Sequence, residues 1–87
     1  MDRDTVHLIL KHKWFDAIDR GEKTVEYRRD TERYRRLIEG RSFVVFHRGY
    51  TNTIMVFRIA LIFMDEVRKQ IRIHLRERLR KASSEED

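Results

Sequence analysis

The longest strand pattern in this chain, residues 53–63, is apolar on both faces, and this constrains the fold more than any other feature. The odd-numbered positions from Met55 to Phe63 are all apolar, and the even-numbered face is interrupted only by Arg58. Such a strand is either covered on both sides at the centre of a sheet or bent round a barrel. Because Arg58 lies among apolar neighbours, it needs a polar partner and is a candidate ligand-binding residue.

The chain is long enough for one small domain with a single core. We expect this domain to span residues 1–82 and a disordered acidic tail to span 83–87, which ends in Glu85, Glu86 and Asp87. Lys and Arg outnumber Asp and Glu by 20 to 15, and the excess is larger without the tail. A body this basic favours polyanions, above all nucleic acid, although a solvated charged surface without such a ligand is the alternative.

Composition also argues against several kinds of site. The chain has no cysteine, which excludes disulfides, cysteine-based zinc sites and thiol nucleophiles. The four histidines show no close ligand spacing, so we expect no metal and no other cofactor. The N-terminus lacks the apolar segment of a signal peptide, and the apolar run at 54–64 is too short to span a bilayer. We therefore expect a cytoplasmic protein with no membrane partner.

Short strand and helix patterns alternate over the first half of the chain. Residues 5–10 and 42–46 are typical of strands, and residues 13–20 predict a two-turn helix whose apolar stripe includes Trp14. A second helix is expected to begin near Thr31, which can cap it. Trp14 is therefore expected mainly in the core, with its edge as a candidate for lining a pocket.

The last third of the sequence fits two structures. Apolar residues recur every four positions from Val67 to Leu79, as in a helix, and between Ile71 and Leu75 they alternate with polar residues, as in a strand. Periodicity alone does not decide between the two. Residues 66–80 are thus expected to form either a strand or a helix.

The segment from Gly21 to Arg28 combines a glycine stop with a strand pattern. Alternation along a strand divides it into a polar row and an apolar pair. The polar row is Thr24, Glu26 and Arg28, with Lys23 at its entrance, and the apolar pair, which can enter a core, is Val25 and Tyr27. A carboxylate between two cations indicates either a structural ion-pair cluster or the floor of a polar binding pocket.

Several segments of the chain resemble the ASCH domain family, whose members are compact β-barrels related to the RNA-binding PUA domain. The family spacing G-x-K-x-x-E-x-R is met in full by Gly21, Lys23, Glu26 and Arg28. Three further segments are similar to the family's opening strand and helix, to an F-x-x-G-Y turn of small bacterial and phage members, and to their closing strand: Leu8–Ile18, Phe46–Tyr50 and Ile71–Leu79. The resemblance spans roughly Val6 to Leu79.

The sequence departs from the family pattern in two places. The segment Met64–Lys69 is shorter than the Trp-Gly-containing segment that members often carry there, and Arg76 stands where a glycine is common. The first departure removes a possible pocket wall. Both departures leave room for the last element to be a helix.

The resemblance implies an α+β fold, a small and mostly antiparallel PUA-like β-barrel of about five strands with two short helices. It also implies that RNA, a nucleotide or a modified nucleoside binds in a cleft beside the polar row. From their own chemistry, Arg28 suits a phosphate or a base edge, and Trp14 or Tyr50 suits a stacked base. Arg48 and Arg58 complete the candidate ligand-binding residues.

The sequence leaves it uncertain whether the protein is an enzyme. Some family members are reported to hydrolyse N4-acylated cytidine with a Lys, a Thr three residues later and a distant Glu, and others are reported as ribonucleases. Lys23 matches the Lys, but Glu26 occupies the Thr position and Thr24 is displaced. Lys23, Glu26 and Thr24 are thus the catalytic candidates. A protein-interaction module with a purely structural charged row is the second alternative, and the ligand and the oligomeric state stay open.

Overall fold

A computed structural model describes residues 3–83, which form five strands and two helices in an α+β arrangement. In chain order the elements are β1 (Thr5–Leu10), α1 (His12–Asp19), β2 (Val25–Arg29), α2 (Glu32–Ile38), β3 (Phe43–Arg48), β4 (Thr53–Asp65) and β5 (Gln70–Ser83). The strands form one sheet in the order β1-β3-β4-β5-β2, curled into a half-barrel. Only the β1–β3 pair is parallel. The predicted fold class is confirmed.

The C-terminal element is a strand, which resolves the ambiguity of residues 66–80. Strand alternation places Ile71 and Ile73 on the inner face, where both are fully buried, between β4 and β2. A helix would instead turn Val67 inward, yet Val67 is 89% exposed in the β4–β5 turn. β5 continues through Ser83, one residue into the predicted tail, and the rest of that tail lies outside the described residues.

β4 changes the face it buries halfway along its length. Met55 and Phe57 point inward, but the register with β5 shifts between Val56 and Leu61. A β-bulge of this kind bends a strand and increases its twist, which curls the sheet. Beyond it, Ile62 packs against the core and Phe63 turns outward, 44% exposed. The strand is thus bent round a half-barrel, as one of the two predicted arrangements required.

The core lies between the inner face of the sheet and the two helices. Its buried members are Val6, Leu8, Leu10, Phe15, Ile18, Ile38, Val44, Phe46, Met55, Phe57, Ile71 and Ile73. Helix α1 contributes Phe15 and Ile18, whereas Trp14 is 45% exposed, so the expectation of a mainly buried Trp14 is wrong. Thr31 caps α2 as predicted, since its hydroxyl accepts from the Tyr34 amide at 3.1 Å.

Ion pairs hold α1 over the sheet. Asp16 accepts two 2.9 Å hydrogen bonds from the Arg48 guanidinium on β3. Asp19 accepts from Arg78 at 2.5 Å and from Lys81 at 2.7 Å, both on β5. After the helix, Gly21 adopts φ +78°, a conformation that glycine tolerates best, and the chain turns into β2. No helix within residues 3–83 is long and apolar enough to cross a membrane.

Candidate functional site

Glu26 lies buried on the inner face of β2, only 6% exposed. Its two carboxylate oxygens have different partners: Oε1 lies 3.2 Å from the Lys23 ammonium, and Oε2 lies 3.1 Å from Nε of Arg28. The predicted row of carboxylate and flanking cations therefore forms one contiguous cluster. Two positive charges around one negative charge leave the cluster with a local excess of one positive charge.

The expectation that Val25 and Tyr27 enter the core is wrong. β2 is an edge strand, and Glu26 pairs with the fully buried Ile73, so Glu26 shares the inner face of the sheet. Tyr27 is 47% exposed instead. The inner face can accept a carboxylate here because it borders a cleft at the edge of the sheet, where the two cations satisfy the charge.

Arg28 connects the two edges of the sheet. Besides contacting Glu26, its guanidinium donates through Nη2 to the Ile9 carbonyl of β1 at 3.0 Å and through Nη1 to the Tyr34 hydroxyl at 3.3 Å. The Tyr34 ring also lies beneath the guanidinium, at 5.6 Å. Arg28 therefore uses three of its five N–H groups within the protein, and two remain for a ligand.

The Lys23 ammonium lies near two aromatic rings. It lies 5.0 Å from the Tyr27 ring centroid and 5.7 Å from that of Trp14, within the range of cation–π attraction. The same ammonium donates to the Val25 carbonyl at 2.5 Å. Its side chain is only 18% exposed. Lys23 thus contacts both Glu26 and the two rings.

Two adjoining clefts open onto this cluster. The first has a volume of about 750 Å³ and is lined by Trp14, Ala17, Glu22, Lys23, Thr24, Val25, Glu26 and Tyr27. The second, about 380 Å³, is lined by Ile9, Leu10, Lys11, Trp14, Glu26, Tyr27, Arg28, Arg29 and Tyr34. They share Trp14, Glu26 and Tyr27. The buried carboxylate therefore faces both clefts, and the two half-exposed rings border both.

The charges at the cleft rims are unequal. At the first cleft, Arg20 donates two 2.9 Å hydrogen bonds to Glu22 and thereby lowers the pKa of that carboxyl, so the pair carries no net charge. At the second cleft, Lys11 and Arg29 have no acidic partner among residues 3–83. The second cleft is therefore the more basic of the two.

Three of the predicted site residues lie outside both clefts. Arg48 is paired with Asp16, and its hydrogen bonds are the main reason that the pKa of Asp16 is lowered. Tyr50 stands 94% exposed in the turn after β3. Arg58 has the polar partner that its sequence context required, because Glu77 accepts from it at 3.3 Å. The clefts bring together the other predicted residues: Trp14, Lys23, Thr24, Glu26 and Arg28.

Four of the cationic and aromatic residues that line the clefts were not among the predicted site residues, namely Lys11, Tyr27, Arg29 and Tyr34. Tyr27 and Arg29 are the sequence neighbours of Arg28 in the predicted polar row. Their position in the sequence could therefore have indicated that they line the site. Lys11 reaches the site from the junction between β1 and α1, and Tyr34 reaches it from α2, which only the fold reveals. No group of three His, Asp or Glu residues suited to hold a metal ion occurs in the described part of the chain.

Comparison with known proteins identifies the family. No curated protein and no solved structure matched the sequence. A family model described as the ASCH domain matches residues 8–85, nearly the whole chain. The match includes the G-x-K-x-x-E-x-R segment whose side chains form the buried cluster, and the closing strand that the sequence alone left ambiguous. This chain therefore belongs to the ASCH domain family.

Proposed function

We propose that this ASCH domain binds RNA, or a nucleotide or nucleoside unit of it, in the two clefts around Glu26. The observation that carries the proposal is a carboxylate 6% exposed, flanked by two cations and bordered by two half-exposed aromatic rings. A structural ion-pair cluster has no need of exposed rings around it. A site that reads a base needs both polar groups for its edge and a flat apolar surface for its face.

The clefts offer complementary groups for a base. Trp14 and Tyr27 are 45% and 47% exposed, and stacking of a base on such a ring is worth about 1–3 kcal/mol. Glu26 offers acceptor positions, since an ionised carboxylate has about four lone-pair sites and its two cations occupy two of them. A carboxylate accepts well from the exocyclic amino group of cytosine. The two free N–H groups of Arg28 suit a base carbonyl or a phosphate.

The second cleft supplies positive charge for the phosphate backbone of RNA. Lys11 and Arg29 line it and have no acidic partner within residues 3–83. Unpaired cations attract phosphates without regard to sequence and release counterions on binding. Lys11 and Arg29 line the same cleft as the rings of Trp14 and Tyr27. One nucleotide can therefore stack its base on a ring and place its phosphate against a cation within one site.

Turnover of a modified nucleoside is the second candidate function, because Lys23, Thr24 and Glu26 line the same cleft. One feature favours binding over hydrolysis. The Lys23 ammonium donates to the Val25 carbonyl and forms an ion pair with Glu26, and an ammonium has no lone pair with which to act as a nucleophile or a base. Hydrolysis of an N4-acylcytidine would first require this ion pair to open.

The chain offers a direct test, because Trp14 is its only tryptophan. We expect a ten-nucleotide single-stranded RNA to quench Trp14 fluorescence saturably. Replacing Tyr27→Ala should weaken this binding about ten-fold, equivalent to about 1.4 kcal/mol. Leu79→Ala is the matched control, since Leu79 is 45% exposed, close to the 47% of Tyr27, and lies outside both clefts. RNA binding that leaves Trp14 emission unchanged would contradict the proposal.

A further inference from the structure

The outer face of the sheet carries a regular block of nine residues across β2, β5 and β4. Pairing across the three strands defines three rows: Val25–His74–Leu61, Tyr27–Arg72–Phe63 and Arg29–Gln70–Asp65. Directly paired residues of neighbouring strands project from the same face. The block therefore lies opposite the face that buries Ile71 and Ile73, where both helices contribute to the core. We call these nine residues the outer block.

The middle row of the outer block has an aromatic ring at each end and a cation between them. Tyr27 is 47% exposed and Phe63 is 44% exposed. The Arg72 guanidinium lies 4.7 Å from the Phe63 ring centroid and donates to Asp65 at 3.2 Å. The guanidinium is thus held against one ring by a cation–π contact and an ion pair. The middle row is therefore a partly aromatic surface in which the position of the Arg72 guanidinium is held by these two contacts.

The charge of the outer block suits an anionic partner. Asp65 is its only carboxylate, and it is 5% exposed. Asp65 accepts from the backbone amides of Val67 and Arg68 and pairs with Arg68 and Arg72, and the amide and guanidinium of Arg68 help to lower the pKa of its carboxyl. Arg29 has no acidic partner within residues 3–83. The block therefore presents aromatic and cationic groups without an accessible negative charge.

Tyr27 belongs to both the outer block and the two clefts. Because β2 is an edge strand, Tyr27 borders the clefts on the inner side of the sheet and also the outer face. Arg29 is likewise shared, because it lines the second cleft and begins the third row of the block. The outer block is thus continuous with the cleft in both its aromatic and its cationic groups.

We propose that the outer block is a second base-stacking subsite for the same single-stranded RNA, which would pass from the cleft over Tyr27 to Phe63. This inference rests on the proposed function of the cleft. Tyr27 and Phe63 stand two strand spacings apart, about 10 Å. Successive stacked bases rise by only about 3.4 Å, so two neighbouring bases stacked on each other cannot occupy both rings. The substrate class is therefore an extended strand with unstacked bases, and we expect a dinucleotide bound in the cleft to reach Tyr27 but not Phe63.

Phe63→Leu tests the subsite, because it removes the ring but keeps an apolar side chain at a surface position. The probes are a fluorescein-labelled oligouridine decamer, followed by anisotropy, and the dinucleotide UpU, followed by Trp14 quenching. We expect Phe63→Leu to weaken decamer binding about five-fold or more and to leave UpU binding unchanged. Phe63→Trp should restore decamer affinity. Leu79→Ala, which removes an apolar side chain of equal exposure elsewhere on β5, should bind both probes as the wild type does.

The outcomes separate this inference from the proposed function. If Phe63→Leu binds the decamer as tightly as the wild type while the decamer still quenches Trp14, the outer subsite is refuted and the cleft stands. If neither probe binds the wild type, both proposals fail. If Phe63→Leu leaves RNA affinity unchanged but releases a protein that copurifies with the wild type, the outer block is a protein surface and the inference is likewise overturned.

Discussion

Arg28 and Ile9 join the two free edges of the half-barrel. Nη2 of Arg28 on β2 donates to the Ile9 carbonyl on β1 at 3.0 Å, although β1 and β2 lie at opposite ends of the sheet order. The same guanidinium holds Glu26 through Nε at 3.1 Å. One side chain therefore links the closure of the sheet to the position of the buried carboxylate.

Replacing Arg28→Ala is expected to destabilise the protein by about 3–5 kcal/mol. The side chains of Arg28 and Glu26 are only 17% and 8% exposed, and removing one partner of a buried pair leaves a charge without compensation. The bond to the Ile9 carbonyl is lost as well. Urea denaturation followed by circular dichroism measures the difference in the free energy of unfolding.

Arg36→Ala is the matched control for this measurement. Arg36 pairs with Glu32 at 3.1 Å, but the two side chains are 77% and 81% exposed. An exposed pair of this kind contributes about 0–1 kcal/mol. If Arg28→Ala costs no more than Arg36→Ala, the buried cluster is not what holds the edges of the sheet together.

Arg29→Ala is expected to weaken RNA binding uniformly across sequences and to reduce the salt dependence. Arg29 lines the second cleft without an acidic partner in the described chain. Loss of one phosphate contact lowers the slope of log affinity against log salt by about 1. Titrations at four or more salt concentrations give this slope.

Arg80→Ala provides the comparison for Arg29→Ala. Arg80 is exposed, also lacks an acidic partner within residues 3–83, and lies outside both clefts on β5. The two variants lose the same charge from different places. If both variants give the same slope of log affinity against log salt, RNA binding depends on the overall charge of the protein and not on the second cleft.

The location of the polar cluster could be predicted from sequence because it depends on local geometry. Lys23, Glu26 and Arg28 lie within six residues of one extended segment, and strand alternation alone brings Glu26 and Arg28 to one face. The direction of that face could not be predicted in the same way. It depends on Ile73 of β5, which pairs with Glu26 from 47 positions away and places it on the inner side of the sheet.

Two further features also depended on distant parts of the chain. In α1, apolar residues occur at positions 14, 15, 17 and 18, and only packing against the sheet selects Phe15 rather than Trp14 for the core. In β4, the shift of register arises from pairing with β5, so an unbroken alternation in the sequence misplaces Phe63. Non-local pairing, rather than propensity, decided both outcomes.

Arg48→Ala is expected to lower stability without affecting RNA affinity. Sequence reasoning placed Arg48 among the ligand-binding residues, but its guanidinium makes two 2.9 Å bonds to Asp16 and lies outside both clefts. The two side chains are 33% and 37% exposed, so we expect only a small loss of stability, well below that of Arg28→Ala. Urea denaturation measures the change in stability, and RNA titration followed by Trp14 fluorescence measures the affinity. A loss of RNA affinity in a variant that remains fully folded would restore Arg48 to the site.

His47, on the outer face of β3, is expected to make stability depend on pH below its ordinary pKa of 6.5. Nδ1 of His7 lies 2.9 Å from Nε2 of His47, and burial followed by the neighbouring His7 lowers the pKa of His47 below 6.5. The unfolded chain therefore binds a proton at His47 more readily than the folded protein does. Stability is full above the unfolded pKa and falls as the pH drops below it.

His47→Gln should flatten this pH dependence. Urea midpoints measured from pH 7.5 to 5 isolate the histidine, because the carboxyls with lowered pKa values, such as Asp16 and Asp65, titrate below this range. A wild-type midpoint that falls with pH, together with a flat profile in His47→Gln, supports the assignment. The same fall in both proteins would show that another group titrates in this window and that the pair contributes nothing to it.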